Sequence, residues 1–251
     1  MPKTVSSIEV QLQTHRNSIL GILSALVILT LWVGSLVWLL PADLSGVPIW
    51  GIAAIFLVRM FLHTGLFITA HDAMHGTICP TLPQLNRPIG SLAIGAYALL
   101  PYQVLLEKHR MHHYHPATER DPDFCRKYRH NAVLWFVTFM VSNMKYKGSW
   151  LQLLAMTVLF HSLWAIFHVP IANVLFVWSL PMLASTVQMF YFGVFLPHRE
   201  PKGGHTNRHR SQSSQYPIFW SFLTCYHFGY HWEHHEYPHL PWYKLPSAVK
   251  S

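Results

Sequence analysis

The chain has 251 residues, of which 51% are hydrophobic and only 11% charged, and its formal net charge is +8. A soluble domain carries about 25% charged residues, so this composition argues against an ordinary soluble protein and indicates a membrane protein. A basic nucleic-acid-binding surface is the competing explanation for the positive charge, but so much lipid-facing sequence disfavours it. We therefore expect no nucleic-acid partner and an attraction of the basic residues to anionic lipid.

Four apolar runs are long enough to cross a bilayer, at residues 19–40, 48–70, 150–167 and 171–197. The first run contains no charge and is followed by no small-residue cleavage site, so we expect a retained span rather than a signal peptide. The pattern predicts an all-α integral membrane protein with about four transmembrane helices. We expect one domain over residues 1–251, beginning with a cytoplasmic arm over 1–18.

Lysine and arginine are unevenly distributed among the connections between these runs. None of the 18 lies in 41–47 or 168–170, and all but Arg59 lie in the arm, in 71–149 or after residue 197. The positive-inside rule therefore predicts that both termini and the central segment face the cytoplasm.

A fifth apolar stretch, residues 89–106, is at the short end of the range for a span. If it crossed the bilayer, His71 and His109 would face opposite sides of the membrane. We expect instead a re-entrant or interfacial helix that returns to the side it came from. Residues 131–144 are predicted to form a second interfacial helix.

Histidines concentrate in short boxes at the predicted cytoplasmic ends of these segments. HDAMH places two at i and i+4, HRMHH and HWEHH each place three at i, i+3 and i+4, and FLPH adds a lone one. Such spacings put each set on one face of a helix, and one more histidine lies a turn before the last box on the same predicted stripe. The candidate metal ligands are His71, His75, His109, His112, His113, His198, His227, His231, His234 and His235.

Ten imidazoles exceed the coordination sphere of one ion, which holds about four to six ligands, so the pattern predicts two metal ions. The spacing does not identify the metal, because imidazole suits zinc, copper, iron and nickel alike. A metal transporter would need ligands near mid-membrane, where the sequence offers only Arg59, His63 and His161. His205 and His209, in the polar loop 203–216, are expected at the surface.

Boxes of the form HxxxH, HxxHH and HxxHH resemble those of the membrane fatty-acid desaturase and hydroxylase superfamily. The longer strings LFITAHDAMHG, HRMHHYHPATERDPD, FYFGVFLPH and TCYHFGYHWEHHEYPHLPWYKLP are similar to the bacterial-type β-carotene ketolase family. This resemblance covers residues 20–246. It implies a di-iron centre at the cytoplasmic face that is ligated by the candidate histidines. His198 would be the single ligand from the FLPH string, and His227 is the least secure of the ten. Among the acids it favours Asp121 and Asp123 over Glu119 as supporting residues.

The resemblance also implies an O2-dependent enzyme that uses two iron ions to oxygenate carbon 4 of a β-ionone ring. Two hydroxylations and a dehydration would convert β-carotene in the bilayer to echinenone and canthaxanthin, and zeaxanthin to astaxanthin. Electrons would come from a separate protein, expected to be ferredoxin, because no nucleotide fingerprint or haem-attachment motif is present. A carotenoid ring hydroxylase and a fatty-acyl desaturase or hydroxylase are the alternatives, which the boxes alone do not separate.

Arg59 is predicted to lie inside the second span, about 16 Å from its end. It should face the helix bundle, because exposing a guanidinium to lipid at that depth is costly. Two roles remain open for it. One is a structural hydrogen bond to a backbone carbonyl, and the other is contact with the far end of a hydroxylated carotenoid.

Overall fold

Residues 7–249 are the part of the chain that the computed structural model describes, and their regular secondary structure is entirely helical. The helices are α1 (Ser7–Leu39), α2 (Ile49–Met74), α3 (Asn86–Ala98), α4 (Tyr102–Tyr114), α5 (Ala132–Asn143), α6 (Ser149–Ile166), α7 (Ile171–His198), α8 (Ile218–Cys225) and α9 (His231–Glu236). Short 3-10 turns lie at Pro83–Leu85, Arg126–Tyr128 and Trp242–Ala248.

Four of these helices, α1, α2, α6 and α7, are long and apolar enough to cross a membrane, which confirms the predicted number for the described residues. Helix α1 begins at Ser7, well before the predicted start at residue 19, because no proline or glycine between residues 7 and 18 stops it. The predicted arm is therefore largely helical. Its residues 1–6, like residues 250 and 251, lie outside the described residues.

Helix α2 is the centre of the bundle and packs against α1, α3 and α7. Its second half is buried almost all round, from Leu62 to Ala73, as expected for a helix enclosed by others. Its last residues carry the first histidine box. The helix ends because Gly76 adopts a left-handed conformation, with φ of 73°, that glycine reaches without strain.

The stretch predicted as one re-entrant or interfacial helix consists of two helices, α3 and α4, joined at an angle of 101°. Leu99 has a φ of 53°, and Pro101, which lacks an N–H, stops the chain from continuing as one helix. The direction of return agrees with the prediction. His109 on α4 contacts His75 after α2, so the segment comes back to the end of the bundle that it left.

Two polar side chains of α2 donate hydrogen bonds to backbone carbonyls that lack their usual α-helical N–H partner. Each of these carbonyls lies four residues before a proline, and proline has no N–H to donate to it. The Arg59 guanidinium donates from Nε to Val177 O at 2.8 Å, four residues before Pro181. His63 Nε2–H donates to Tyr97 O at 2.9 Å, four residues before Pro101.

These two side chains are fully buried, so Arg59 faces the bundle as predicted. Arg59 Nη1 also donates to Trp32 O at 2.6 Å, and the Trp32 indole N–H donates to His63 Nδ1 at 2.9 Å. Carbonyl partners on two neighbouring helices favour the structural role for Arg59 over contact with a substrate.

Helix α5 and the end of α7 form a small aromatic core from Trp135, Phe190 and Phe195. The Trp135 indole N–H donates to Asp123 O at 2.8 Å. This core therefore fixes the loop after α4, which carries the two predicted acids.

Candidate metal centre

Nine of the ten candidate histidines meet at one end of the bundle, in two groups. Within each group the potential ligand nitrogens all lie within 4.8 Å of one another. The first group is His71, His75, His109, His113 and His234. The second group is His112, His198, His231 and His235.

The i, i+3, i+4 spacing explains how one box serves both groups. Residues four apart on a helix point in nearly the same direction, whereas the residue at i+3 points to the other side of that line. On α4 the pair His109 and His113 joins the first group and His112 the second. On α9 the pair His231 and His235 joins the second group and His234 the first.

Hydrogen bonds assign the ring protons of two ligands in the second group. His198 Nδ1 donates to Arg210 O, and His112 Nδ1 donates to Asp121 Oδ2, each at 2.9 Å. In a neutral ring this leaves Nε2 of each with a bare lone pair. These bare nitrogens face His231 Nε2 at 3.0 Å and His235 Nε2 at 3.2 Å. A cation bound between these nitrogens would accept the converging lone pairs of all four rings.

The spacing of the nitrogens fits metal coordination. Imidazole nitrogens about 2.1 Å from one ion and at right angles to each other are about 3 Å apart. In the first group, Nε2 of His234 lies 3.0 Å from that of His113 and 3.2 Å from that of His71, and the His75–His109 pair is at 2.6 Å. The residues present therefore fit one imidazole-binding ion in each group.

The charge state of α9 suits metal binding. Burial lowers the pKa of His231, His234 and His235 well below the ordinary range, so these rings are neutral at pH 7. Metal ligation needs the neutral ring, and a protonated box would have to lose its protons first.

Asp121 is buried and contacts the second group through His112. Its carboxylate accepts from His112 Nδ1, and also from the backbone N–H of Ala117 and Asp123, both at 2.9 Å. Burial by itself raises the pKa of Asp121, but the charge and hydrogen bond of His112 outweigh it and hold the pKa below its ordinary value. Asp121 is therefore ionised and orients His112.

His227 lies outside both groups. The predicted helical stripe from His227 to His235 is wrong, because α8 ends at Cys225 and the next two residues have left-handed φ values of 47° and 62°. These residues turn the chain before α9 begins. The His227 ring packs instead near Tyr230 and Trp242, with ring centroids 5.9 and 6.0 Å away.

The polar loop 203–216 contributes more than its sequence indicates. His209, expected at the surface, has a side chain only 12% exposed, and its Nε2 lies 2.7 Å from Glu236 Oε2. Its ring centroid is 5.6 Å from that of His235. The carbonyl of Arg210, which orients His198, comes from the same loop. Neither contact can be predicted from residue spacing, because this loop and the histidine boxes come together only in the folded protein.

An apolar cavity of about 380 Å³ leads to the two histidine groups and is lined at that end by His71, His109, His112 and His231. Six of the nine methionines line it, and their flexible side chains suit an irregular apolar ligand. They are Met74, Met140, Met144, Met156, Met182 and Met189.

Residues of α6 and α7 form part of the cavity wall. Leu153 on α6 and Leu183 on α7 line it, yet they are 53% and 50% exposed on the outside of the bundle. Both helices are long and apolar enough to lie in a membrane. The cavity wall therefore includes residues of helices that such a membrane would surround.

Comparisons with known proteins find relatives over most of the chain. The family model described as fatty acid desaturase matches residues 45–250. A zeaxanthin 4-ketolase from Chlamydomonas reinhardtii is 42% identical over 236 residues, which are 92% of this chain and 51% of that protein. A beta-carotene ketolase from Haematococcus lacustris is 42% identical over 205 residues, covering 78% of this chain and 62% of that protein.

A bacterial relative of more similar length is the beta-carotene ketolase of Paracoccus sp. strain PC1, which is 39% identical over 76% of both chains. The chain thus spans about half the length of the Chlamydomonas relative. No solved structure matches it.

Proposed function

Because this chain belongs to the fatty acid desaturase family and is related over most of its length to beta-carotene ketolases, we propose that it introduces a keto group at carbon 4 of β-ionone rings. β-Carotene would give echinenone and canthaxanthin, and zeaxanthin would give astaxanthin. The observation that supports this most is the apolar cavity, whose wall includes residues of the apolar helices α6 and α7 and of both histidine groups. Such a cavity suits a substrate that is apolar and dissolved in the bilayer.

The proposed reaction is two hydroxylations at one carbon. In each round one atom of O2 enters a C–H bond and forms an alcohol. The other atom leaves as water after taking up two electrons and two protons. The second round gives a gem-diol, which loses water to form the ketone. We propose ferredoxin as the external electron donor, since the sequence has no nucleotide fingerprint or haem-attachment motif.

The nine histidines of the two groups would hold two iron ions, and bound iron would supply the activation of O2. Neutral imidazoles leave the charge of the ions largely uncompensated in a site shielded from water. Asp121 and the Arg210 carbonyl keep His112 and His198 in the tautomers that present Nε2. The cavity wall excludes water and directs the ring toward this end.

We also propose a multi-pass topology in one domain, with both termini and the histidine groups on the cytoplasmic side. The distribution of lysine and arginine supports this orientation. A soluble electron donor could then approach the histidine end from the cytoplasm while the substrate arrives through the membrane.

Pigment analysis tests the proposed activity. Membranes from a β-carotene-producing bacterial host that expresses the chain should contain echinenone and canthaxanthin. The matched His234→Ala variant should accumulate to a similar level and form neither. Products hydroxylated at carbon 3 would identify a ring hydroxylase instead, and altered fatty acids with unchanged carotenoids would identify an acyl-chain enzyme.

A further inference from the structure

The cavity is lined by two sets of polar side chains besides histidine, and the members of one set already hydrogen-bond within the protein. Tyr97 Oη lies 2.9 Å from Thr186 Oγ1, the Tyr146 hydroxyl donates to Gln152, and Gln152 Nε2 donates to Ala98 O at 2.7 Å. These groups already have partners within the protein. They can therefore form part of an apolar channel without needing a polar ligand.

The other set is Lys108, Asp123 and Asn143, which we call the Lys108 cluster. Its three members line the cavity at the histidine end. Lys108 precedes His109 and lies one helical turn before His112, and Asp123 follows the acid that orients His112. The cluster therefore lies beside the place where carbon 4 of a ring would react.

The Lys108 cluster has hydrogen-bonding capacity to spare. Lys108 Nζ donates to Ser142 O at 3.1 Å and to Asn143 Oδ1 at 3.0 Å, which uses two of its three N–H groups. Asp123 accepts a hydrogen bond from Asn143, and its carboxylate lies within 4.8 Å of the ligand nitrogen of His112. A donor and an acceptor thus face the same apolar cavity.

We propose that the Lys108 cluster is a subsite for the hydroxyl on carbon 3 of a hydroxylated β-ionone ring, with Lys108 donating to its oxygen and Asp123 accepting its hydrogen. This inference rests on the proposed function. Carbons 3 and 4 are bonded to each other, so a ring that presents carbon 4 to the metal ligands must place an oxygen on carbon 3 close by. Burying that hydroxyl without a partner would cost about 1–3 kcal/mol. The cluster removes that cost and so favours the hydroxylated ring.

A competition assay tests the subsite. Host membranes that contain the protein, with host cytosol as the source of electrons, are given equal amounts of β-carotene and zeaxanthin. The readout is the ratio of initial ketolation rates, zeaxanthin over β-carotene. Because both substrates meet the same enzyme molecules, this ratio is independent of how much protein folds. Lys108→Met should lower it about five- to tenfold, the effect of one hydrogen bond.

Two further variants make the result decisive. Asn143→Leu, which is distant in sequence from the histidine boxes, should lower the same ratio because Lys108 and Asp123 lose their common partner. Lys147 is an exposed lysine in the loop between α5 and α6, and Lys147→Met should leave the ratio unchanged.

The inference is overturned if Lys108→Met or Asn143→Leu keeps the wild-type ratio, or if both lose all activity. It is also overturned if β-carotene stalls at the 4-hydroxy product while the ratio stays constant, since the cluster would then contact the oxygen on carbon 4. Failure of the wild-type protein to ketolate either substrate would instead reject the proposed function itself.

Discussion

At the scale of single residues, the site depends on which ring nitrogen each histidine presents. His112 is the clearest case, because its Nδ1 donates to a buried carboxylate and its Nε2 points into the second group. The same residue lies on the α4 face next to the first group. A change in its orientation would therefore disturb the region between the two groups.

Asp121→Asn should weaken iron binding about tenfold to a hundredfold, because a neutral amide is a poorer acceptor for the His112 ring N–H. The measurement is iron per chain after dialysis against a chelator, together with ketolation. Glu119→Gln is the matched control. Its carboxylate pairs with Arg126 at 2.9 Å on the surface, with 77% of the side chain exposed, so its loss should change neither. Equal effects of the two substitutions would contradict the role of Asp121.

His227→Ala should retain two irons and part of the activity, because His227 lies outside both histidine groups. Loss of its contacts with Tyr230 and Trp242 should lower the melting temperature. His234→Ala should lose iron and all ketolation. Iron analysis and thermal melting of the two variants in detergent separate these expectations. If His227→Ala loses as much iron as His234→Ala, His227 is a ligand and the assignment of nine is wrong.

At the scale of helices, the sequence predicted the helices themselves better than the turns that interrupt them. Long uncharged runs make spans almost unavoidable, and the i, i+3, i+4 boxes predicted the faces of α4 and α9 on which the ligands lie. The left-handed turn at Tyr226 and His227 escaped prediction, because local spacing there also fits a continuous helix. The contacts of Arg210 and His209 with the boxes depend on tertiary structure and have no local pattern at all.

Two interruptions of α7 follow from its prolines. Wider π-helical turns at Val174–Ser179 and Tyr191–Phe195 come just before Pro181 and Pro197. They let the helix continue to His198 despite the missing N–H groups. The position of a proline was visible in the sequence, but the donor that occupies its free carbonyl, Arg59, comes from a helix far away in the chain.

The metal-free protein should be less stable at pH 5.5 than at pH 7.5. Burial lowers the folded-state pKa of His231, His234 and His235, so below about 6.5 the unfolded chain binds more protons than the folded one. Each histidine then contributes up to about 1.4 kcal/mol per pH unit. Asp123, whose pKa burial raises to about 6, and His112, whose pKa Asp121 raises against the effect of burial, oppose this trend. His109 and His113 add to it, because burial lowers their pKa values as well. Melting of metal-stripped protein in detergent tests the sign.

The control for this experiment is the range from pH 7.5 to 8.5. The three rings are neutral in both states there, so they should leave the melting temperature unchanged. A melting temperature at pH 5.5 that equals or exceeds the value at pH 7.5 would show that these rings are not buried as neutral groups.

At the scale of the whole molecule, the histidine groups and the apolar cavity lie together. The histidine groups lie at the end of the bundle where α2, α4, α7 and α9 meet, and residues of α6 and α7 form part of the cavity that leads to them. Under the proposed function, this arrangement would let a lipid-dissolved substrate and a soluble electron donor reach the same place from different phases.

Reporter fusions test the proposed topology. A reporter after residue 44 or within 168–170 should face away from the cytoplasm, and one within 114–130 should face the cytoplasm, because the basic residues flank the latter. The bend between α3 and α4 favours this result, because it brings His109 back to His75 at the end of α2. A reporter at 114–130 on the far side would mean that these helices cross the membrane as one broken span.

Metal analysis of the purified protein tests the central claim, that two histidine groups hold two irons, most directly. The account predicts about two irons per chain in active wild-type protein. Full activity with one metal ion per chain, or with zinc alone, would contradict it.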